Sequence, residues 1–243
     1  MKRISIYIIG ALTLLLAGSV WFYYPTPPST DVLDVVSYIV DPKQQQVSMH
    51  WKDANGALYR NFENLEADIR QHNGELIFAM NAGIFQADLT PLGLFIDRGQ
   101  TLHSINRAHG SGNFYLQPNG IFYLTKDRRA GVCKTEDYAG LEGVEYATQS
   151  GPMLVVDGEI NSIFTKGSNN TNIRNGVGIR SNGELVLAMS KDRVNFYDFA
   201  NYFKSMGCTN ALYLDGYVSE TYFPAQSMSA RGGDFGVMIA VTK

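Results

Sequence analysis

The sequence has few of the residues, and none of the motifs, on which the commonest hydrolytic and transfer mechanisms rest. Only two cysteines and four histidines occur in 243 residues. There is no G-x-S-x-G nucleophile elbow, no P-loop, no H-E-x-x-H pair and no dinucleotide-binding glycine turn. Those absences exclude the motif-bearing serine hydrolases, nucleotide triphosphatases, zinc peptidases and nicotinamide enzymes. His103 and His109 share a loop, but no third ligand of the right type stands beside them, so a metal site is not expected. Nothing calls for a cofactor. A net charge of −3 leaves no basic excess for nucleic acid, which is not expected as a partner. Cys133 and Cys208 have no diagnostic spacing; a disulfide in an exported protein and two buried free thiols fit equally.

What is present points to an envelope protein with a β-rich domain. The hydrophobic fraction of 45% and charged fraction of 18% are those of an ordinary globular chain. The 14 tyrosines and 13 phenylalanines suit strands, and equally the stacking walls of a sugar site. Lys2 and Arg3 precede an apolar stretch over residues 4–24, long enough to span a bilayer as a helix. The basic flank places the N-terminus in the cytoplasm and the rest of the chain in the periplasm or outside the cell. We read residues 1–24 as a signal anchor, with Ala17-Gly18-Ser19 as the cleavage point if the segment is instead a signal peptide and the domain secreted. Residues 25–31 form a proline-rich linker, and 32–243 a single domain.

Periodicity within that domain predicts an α+β fold of hairpins and mixed sheet with two main helices. Strands are expected at Val32–Val40, Val47–Trp51, Glu75–Met80 and Phe235–Val241. A helix over Asn61–Asn73 has Phe62, Leu65 and Ile69 on one face, with Gly74 as its stop. A second, Phe196–Met206, buries Phe196, Phe199, Ala200 and Phe203 and is capped by Gly207. Pro118-Asn119-Gly120, Asp157-Gly158 and Ser181-Asn182-Gly183 each lie between apolar runs and read as hairpin turns.

The polar, glycine-rich stretches at residues 80–86, 106–120, 149–152 and 171–178 each adjoin a strand-like run and are expected to gather around one site. Ala211–Leu214 delivers Asp215 onto Gly216, so a rigid strand presents a lone carboxylate where backbone or ligand can come close. Arg174, in TNIRNGVGI, offers a two-pronged cation suited to phosphate oxygens. Asn81 carries an amide that can both donate and accept, as sugar hydroxyls require, and Ser150-Gly151 could face a ligand, though a turn explains each as well; Gly83, Asn175, Gly216 and Ser219 are the neighbouring candidates. Lys191 and Arg193 are expected to add positive charge near the same edge.

AMNAGIF (79–85), SGPMLVVDGEI (150–160), IRNGVGI (173–179) and ALYLDG (211–216), in this order, resemble the phosphodiester glycosidase family. NFYLQPNGIF (113–122) and VNFYDFANYF (194–203) resemble a bacterial, envelope-associated branch of it. The resemblance implies hydrolysis of a sugar-1-phosphodiester, with a small or polymeric glycan phosphodiester as partner. It implies Asp215 near the developing oxocarbenium charge and Arg174 on the phosphate. Two departures from the family pattern are Ala82, where a glycine usually follows the asparagine, and Tyr217-Val218, where glycines usually follow the aspartate. They imply a pocket of different shape. A non-catalytic glycan-binding protein and an accessory of polysaccharide assembly are the alternative classes.

Overall fold

Alternating burial carries most of the chain into strands, and a computed structural model describes them over residues 33–215, 218–229 and 232–243. β1 (Val35–Val40) and β2 (Gln46–His50) lead to helix α1 (Phe62–Gln71) and β3 (Leu76–Asn81). β4 (Phe95–Asp97), β5 (Gln100–His103), β6 (Gly120–Thr125), β7 (Ala130–Lys134) and β8 (Val144–Ser150) follow. Next come β9 (Met153–Val156), β10 (Glu159–Ile160), β11 (Asn175–Arg180) and β12 (Leu185–Ser190). Helix α2 (Phe196–Ser205) precedes β13 (Cys208–Tyr213), β14 (Thr221–Phe223), β15 (Met228–Ser229) and β16 (Met238–Thr242).

These strands form three antiparallel sheets. The first has the order β1-β12-β11-β13-β9-β10, the second β15-β14-β3-β16-β2 and the third β5-β4-β8-β6-β7. Val177, Leu187 and Leu212 of the first, Phe78 and Val241 of the second, and Phe95 and Phe122 of the third meet in one central core. Each fully buried phenylalanine there contributes about 1.5–3 kcal/mol relative to an exposed one. The expected α+β class is what is found.

The helices close the outer faces. Asn61 caps α1, its side chain accepting from the Asn64 amide, and Phe62 and Leu65 pack on Ala79, Met238 and Ala240. The left-handed residue that ends α1 is Asn73, at φ +62°, not Gly74. Asn195 caps α2, whose Phe199, Ala200 and Phe203 cover Leu154, Val186 and Ala211 of the first sheet.

Two of the three expected hairpins form as read. Asp157 (φ +51°) and Gly158 (φ +83°) turn β9 into β10, and Gly183 (φ +88°) turns β11 into β12. The third does not. Asn113–Tyr115 is a 3-10 turn, and β6 pairs instead with β7 and β8, the chain reversing at Arg128 (φ +59°). The closing strand begins at Met238, three residues later than expected, because Phe235 bridges to Arg60. The β11–β13 ladder has one irregularity: Thr209 is an extra residue between the pairs Ile179–Asn210 and Arg180–Cys208.

Both thiols are free. Cys133 packs beside Ile121 and Tyr138, Cys208 beside Phe203, in separate clusters. Burial pushes Cys133 up to about 11 and Cys208 up to about 12. No helix among the described residues is long and apolar enough to cross a membrane. The expected anchor and linker lie outside the described residues.

Candidate active site

The four polar stretches converge at one end of the three sheets. Asn175 Nδ2 donates to Asn81 Oδ1 at 2.9 Å and to Asn81 O at 2.7 Å. Asn81 Nδ2 donates to Asp215 O at 2.7 Å. Gly83 lies against β8 so closely that a Cβ there would sit 2.8 Å from the Gln149 carbonyl oxygen. A Cβ at Gly151 would fall 2.6 Å from Asn119 Cβ, in the 106–120 stretch. Both glycines permit close backbone packing rather than contact with solvent.

Asp215 is held by the continuation of β13. The Tyr213 amide donates to Pro152 O (3.0 Å), Leu214 to Asn175 O (3.1 Å) and Asp215 to Ala82 O (2.9 Å). The amides alternate sides, so the backbone stays extended through Asp215. In the ladder Gly176 faces Tyr213 and Val177 faces Leu212. Two further steps along this register place Arg174 opposite Asp215, and opposed residues share a face of the sheet. Leu212 and Leu214 point into the central core, whereas Tyr213 joins the α2 core. Alternation therefore puts Asp215 on the α2 side together with Arg174. Asp215 is half-buried, at the rim.

Arg174 is fully buried, 0% exposed. Its Nε donates to Val194 O at 2.8 Å and its Nη2 to Asn170 O at 2.9 Å. The guanidinium lies 3.6 Å from the Phe196 ring centroid and 5.5 Å from that of Tyr213, and Phe164 stacks on Phe196 at 5.0 Å. Burial pulls Arg174 below the usual guanidinium range; the Tyr213 hydroxyl works against this, and Arg193 adds to it. Nη2 also lies 3.4 Å from Asn170 Oδ1, so the bonds of this cation run to carbonyl and amide oxygens.

Three buried side-chain atoms lack a hydrogen-bond partner among the described residues: Ser150 Oγ, Arg174 Nη1 and Asn175 Oδ1. Buried polar atoms are nearly always paired, so each such gap calls for an explanation. Each falls on a residue nominated from sequence. Arg174 and Asn175 nevertheless serve opposite faces of β11, the guanidinium toward α2 and the amide toward Asn81.

The remaining nominees are placed differently. Asn81 is wholly buried, and its Oδ1 also accepts from the Glu220 amide at 2.9 Å. Its amide is spent on fixing the backbone that bears Asp215. Ser219 is half-buried, its hydroxyl at the 3.5 Å limit from Ile173 O and Asp215 O. Gly216 and Tyr217 lie outside the described residues. Lys191 pairs with Asp34 at 2.9 Å, and Arg193 donates to Thr171 O, both on the exposed surface. Ala82 and Val218 turn their bulk into the central core and the α1 core, so neither of these departures narrows the rim.

The Gln149 amide, in the polar stretch 149–152, does not face a ligand: its Oε1 accepts from the Leu94 and Asn106 amides at 3.0 and 2.9 Å and clasps the loop before residue 106. One residue, Glu220, was not read from the sequence. Glu220 is a second acid whose backbone joins the Asn81 network; its signal was an acid five residues beyond Asp215.

A family model described as phosphodiester glycosidase matches residues 74–236. An uncharacterised Escherichia coli K12 protein, YigE, is 37% identical over 216 residues, covering 88% of this chain and 84% of that one. Among solved structures, the catalytic domain of zebrafish N-acetylglucosamine-1-phosphodiester alpha-N-acetylglucosaminidase, auto-inhibited by its pro-peptide, superposes with a TM-score of 0.56. It is 17% identical, over 88% of this chain and 85% of that one. A hypothetical protein from Synechocystis superposes at 0.53, with 15% identity over 86% of this chain and 59% of that one. At these identities the two structures establish a shared fold.

Proposed function

The chain belongs to the phosphodiester glycosidase family, and from that premise we propose that it hydrolyses a sugar-1-phosphodiester in the cell envelope. The observation that carries this reading is the Arg174 guanidinium, a fully buried cation whose hydrogen bonds run to carbonyl and amide oxygens and whose Nη1 donors are unspent. Burying an uncompensated charge is costly unless something pairs with it. A phosphate oxygen is the anion that such a planar donor fits.

In the reaction, water adds to the anomeric carbon, the bond from that carbon to the phosphate oxygen breaks, and the electron pair leaves with a phosphate monoester. That leaving group is already acidic, so little proton donation is needed. Arg174 stabilises the charge gathering on the phosphate, and Asp215 serves the anomeric centre as nucleophile, base or electrostatic partner. Ser150, with its unpaired buried hydroxyl, and half-buried Ser219 border the sugar, while Asn175 and Gly151 brace the strands and loops behind them. Asn81 and Gly83 hold the loops that carry them.

The test is turnover. The purified chain should release free sugar and a phosphate monoester from a hexose-1-phosphodiester and leave the matching simple glycoside intact. Binding of the diester without hydrolysis would replace this reading with that of a glycan-binding protein.

We further propose that residues 4–24 anchor the domain outside the cytoplasmic membrane, on the strength of Lys2, Arg3 and the apolar stretch that follows. Protease added to spheroplasts should then degrade the domain. Complete protection beyond residue 24 would reverse the topology.

A further inference from the structure

Two cavities have Ile163 as a common wall. The smaller, about 210 Å³, is lined by Leu116, Ile163, Phe164, Asn170, Phe196 and Tyr197, among others. Phe196 carries the Arg174 guanidinium and the Asn170 carbonyl accepts from it, so this cavity abuts the candidate phosphate site. The larger, about 510 Å³, shares Ile163 and takes up the chain at Gln117, the residue after Leu116. Its volume lies in the range that holds a whole small ligand.

The two differ in chemistry. No charged side chain lines the smaller cavity, whose aromatic rings and short polar groups suit the face and edge of a sugar ring. The larger is lined by Arg107 and Lys134, with His109, against the single acid Glu136. Arg107 is set in place by its own bonds, Nη1 to Thr135 O at 2.7 Å and Nη2 to Tyr138 O at 2.9 Å. Lys134 stands 3.9 Å from Glu136, too far for a close pair. Buried Asn119 and Asn161 complete the floor. On a chain of net charge −3, this local excess of positive charge shares the Ile163 wall with the cavity that Phe196 and Asn170 line.

We propose that the groove binds a polymeric substrate with recurring anions, a glycan of sugars joined through phosphodiesters. Arg174 holds the phosphate to be cleaved, the aromatic cavity the adjoining sugar, and the Arg107–Lys134 cavity the next phosphate. The proposal rests on the phosphodiester reading above and narrows it from a single diester to a repeating one. Its signature is a preference for length that disappears at raised salt or on reversal of charge at Lys134.

The test is calorimetric binding to the full-length chain carrying Asp215→Asn, so that binding is measured without turnover. The probes are a synthetic dimer and tetramer of hexoses linked 1→6 through phosphodiesters. We expect the tetramer to bind about tenfold tighter than the dimer. Lys134→Glu should remove that preference, whereas Lys43→Glu, on an exposed turn remote from the groove, should preserve it. Equal binding of dimer and tetramer overturns the proposal, as does a preference that survives Lys134→Glu. If the wild type cleaves neither oligomer and the preference still depends on Lys134, the hydrolase reading fails while the groove stands.

Discussion

Asp215→Asn is expected to fold as the wild type does and to slow release of sugar from a sugar-1-phosphodiester by a few hundredfold, about 3–4 kcal/mol of transition-state stabilisation. The substitution is nearly isosteric, and the bonds that position the residue are backbone bonds that it leaves alone. These are the Asp215 amide to Ala82 O and the Asn81 Nδ2 bond to Asp215 O. What changes is the charge facing the anomeric centre. Matching circular dichroism and melting curves establish the fold, and initial rates establish the loss. A folded Asp215→Asn protein at near wild-type rate would make Asp215 a residue of the turn and empty the site of its carboxylate.

Arg174→Met is expected to lose activity by a similar factor while melting no lower than the wild type. Methionine fills much of the same volume against Phe196 and Tyr213 and brings no charge into the core. The carbonyls left behind are provided for: Val194 O also accepts from the Asn172 amide at 3.1 Å, and Asn170 is exposed enough for water. Replacing buried charged groups by well-packed hydrophobic ones of similar volume is often neutral or stabilising, because their desolvation is costly. Inorganic phosphate should accordingly raise the melting temperature of the wild type and leave that of Arg174→Met unmoved. A steep fall in stability with methionine would make Arg174 a structural strut tying β11 to α2. Arg174→Lys separates charge from shape: it keeps a cation but has no planar fork to reach Val194 O, Asn170 O and a phosphate together.

Local chemistry was legible in the sequence and non-local pairing was not. The turn at Asp157-Gly158 and the helix faces of Phe62–Leu65 and Phe196–Phe203 depend on residues a few positions apart, and all three were readable. Pro118-Asn119-Gly120 carries the same hairpin signature, yet the partner of β6 lies on its far side, in β7 and β8. Phe114 serves instead as a buried plug before β6. The candidate site shows the same division. Asp215 at the end of an apolar strand stood out, whereas the burial of Arg174 did not, because an arginine among asparagines and threonines reads as surface. Its position is set by the α2 aromatics and by the ladder that joins residues 176 and 213. Asn81 was read for what its amide could offer a sugar, but that amide is committed to Asn175, Glu220 and Asp215.

The extra residue at Thr209 bears on how this chain can change length over generations. Side chains along a strand alternate between two faces, so an odd insertion or deletion between Asn210 and Asp215 would turn the acid from the α2 side to the central core. An even one would keep the face but lose the rung opposite Arg174. A bulge upstream absorbs an odd residue without passing the shift on. Descendants of this fold can therefore lengthen or shorten at the start of β13, or beyond residue 215, while the segment between keeps its count.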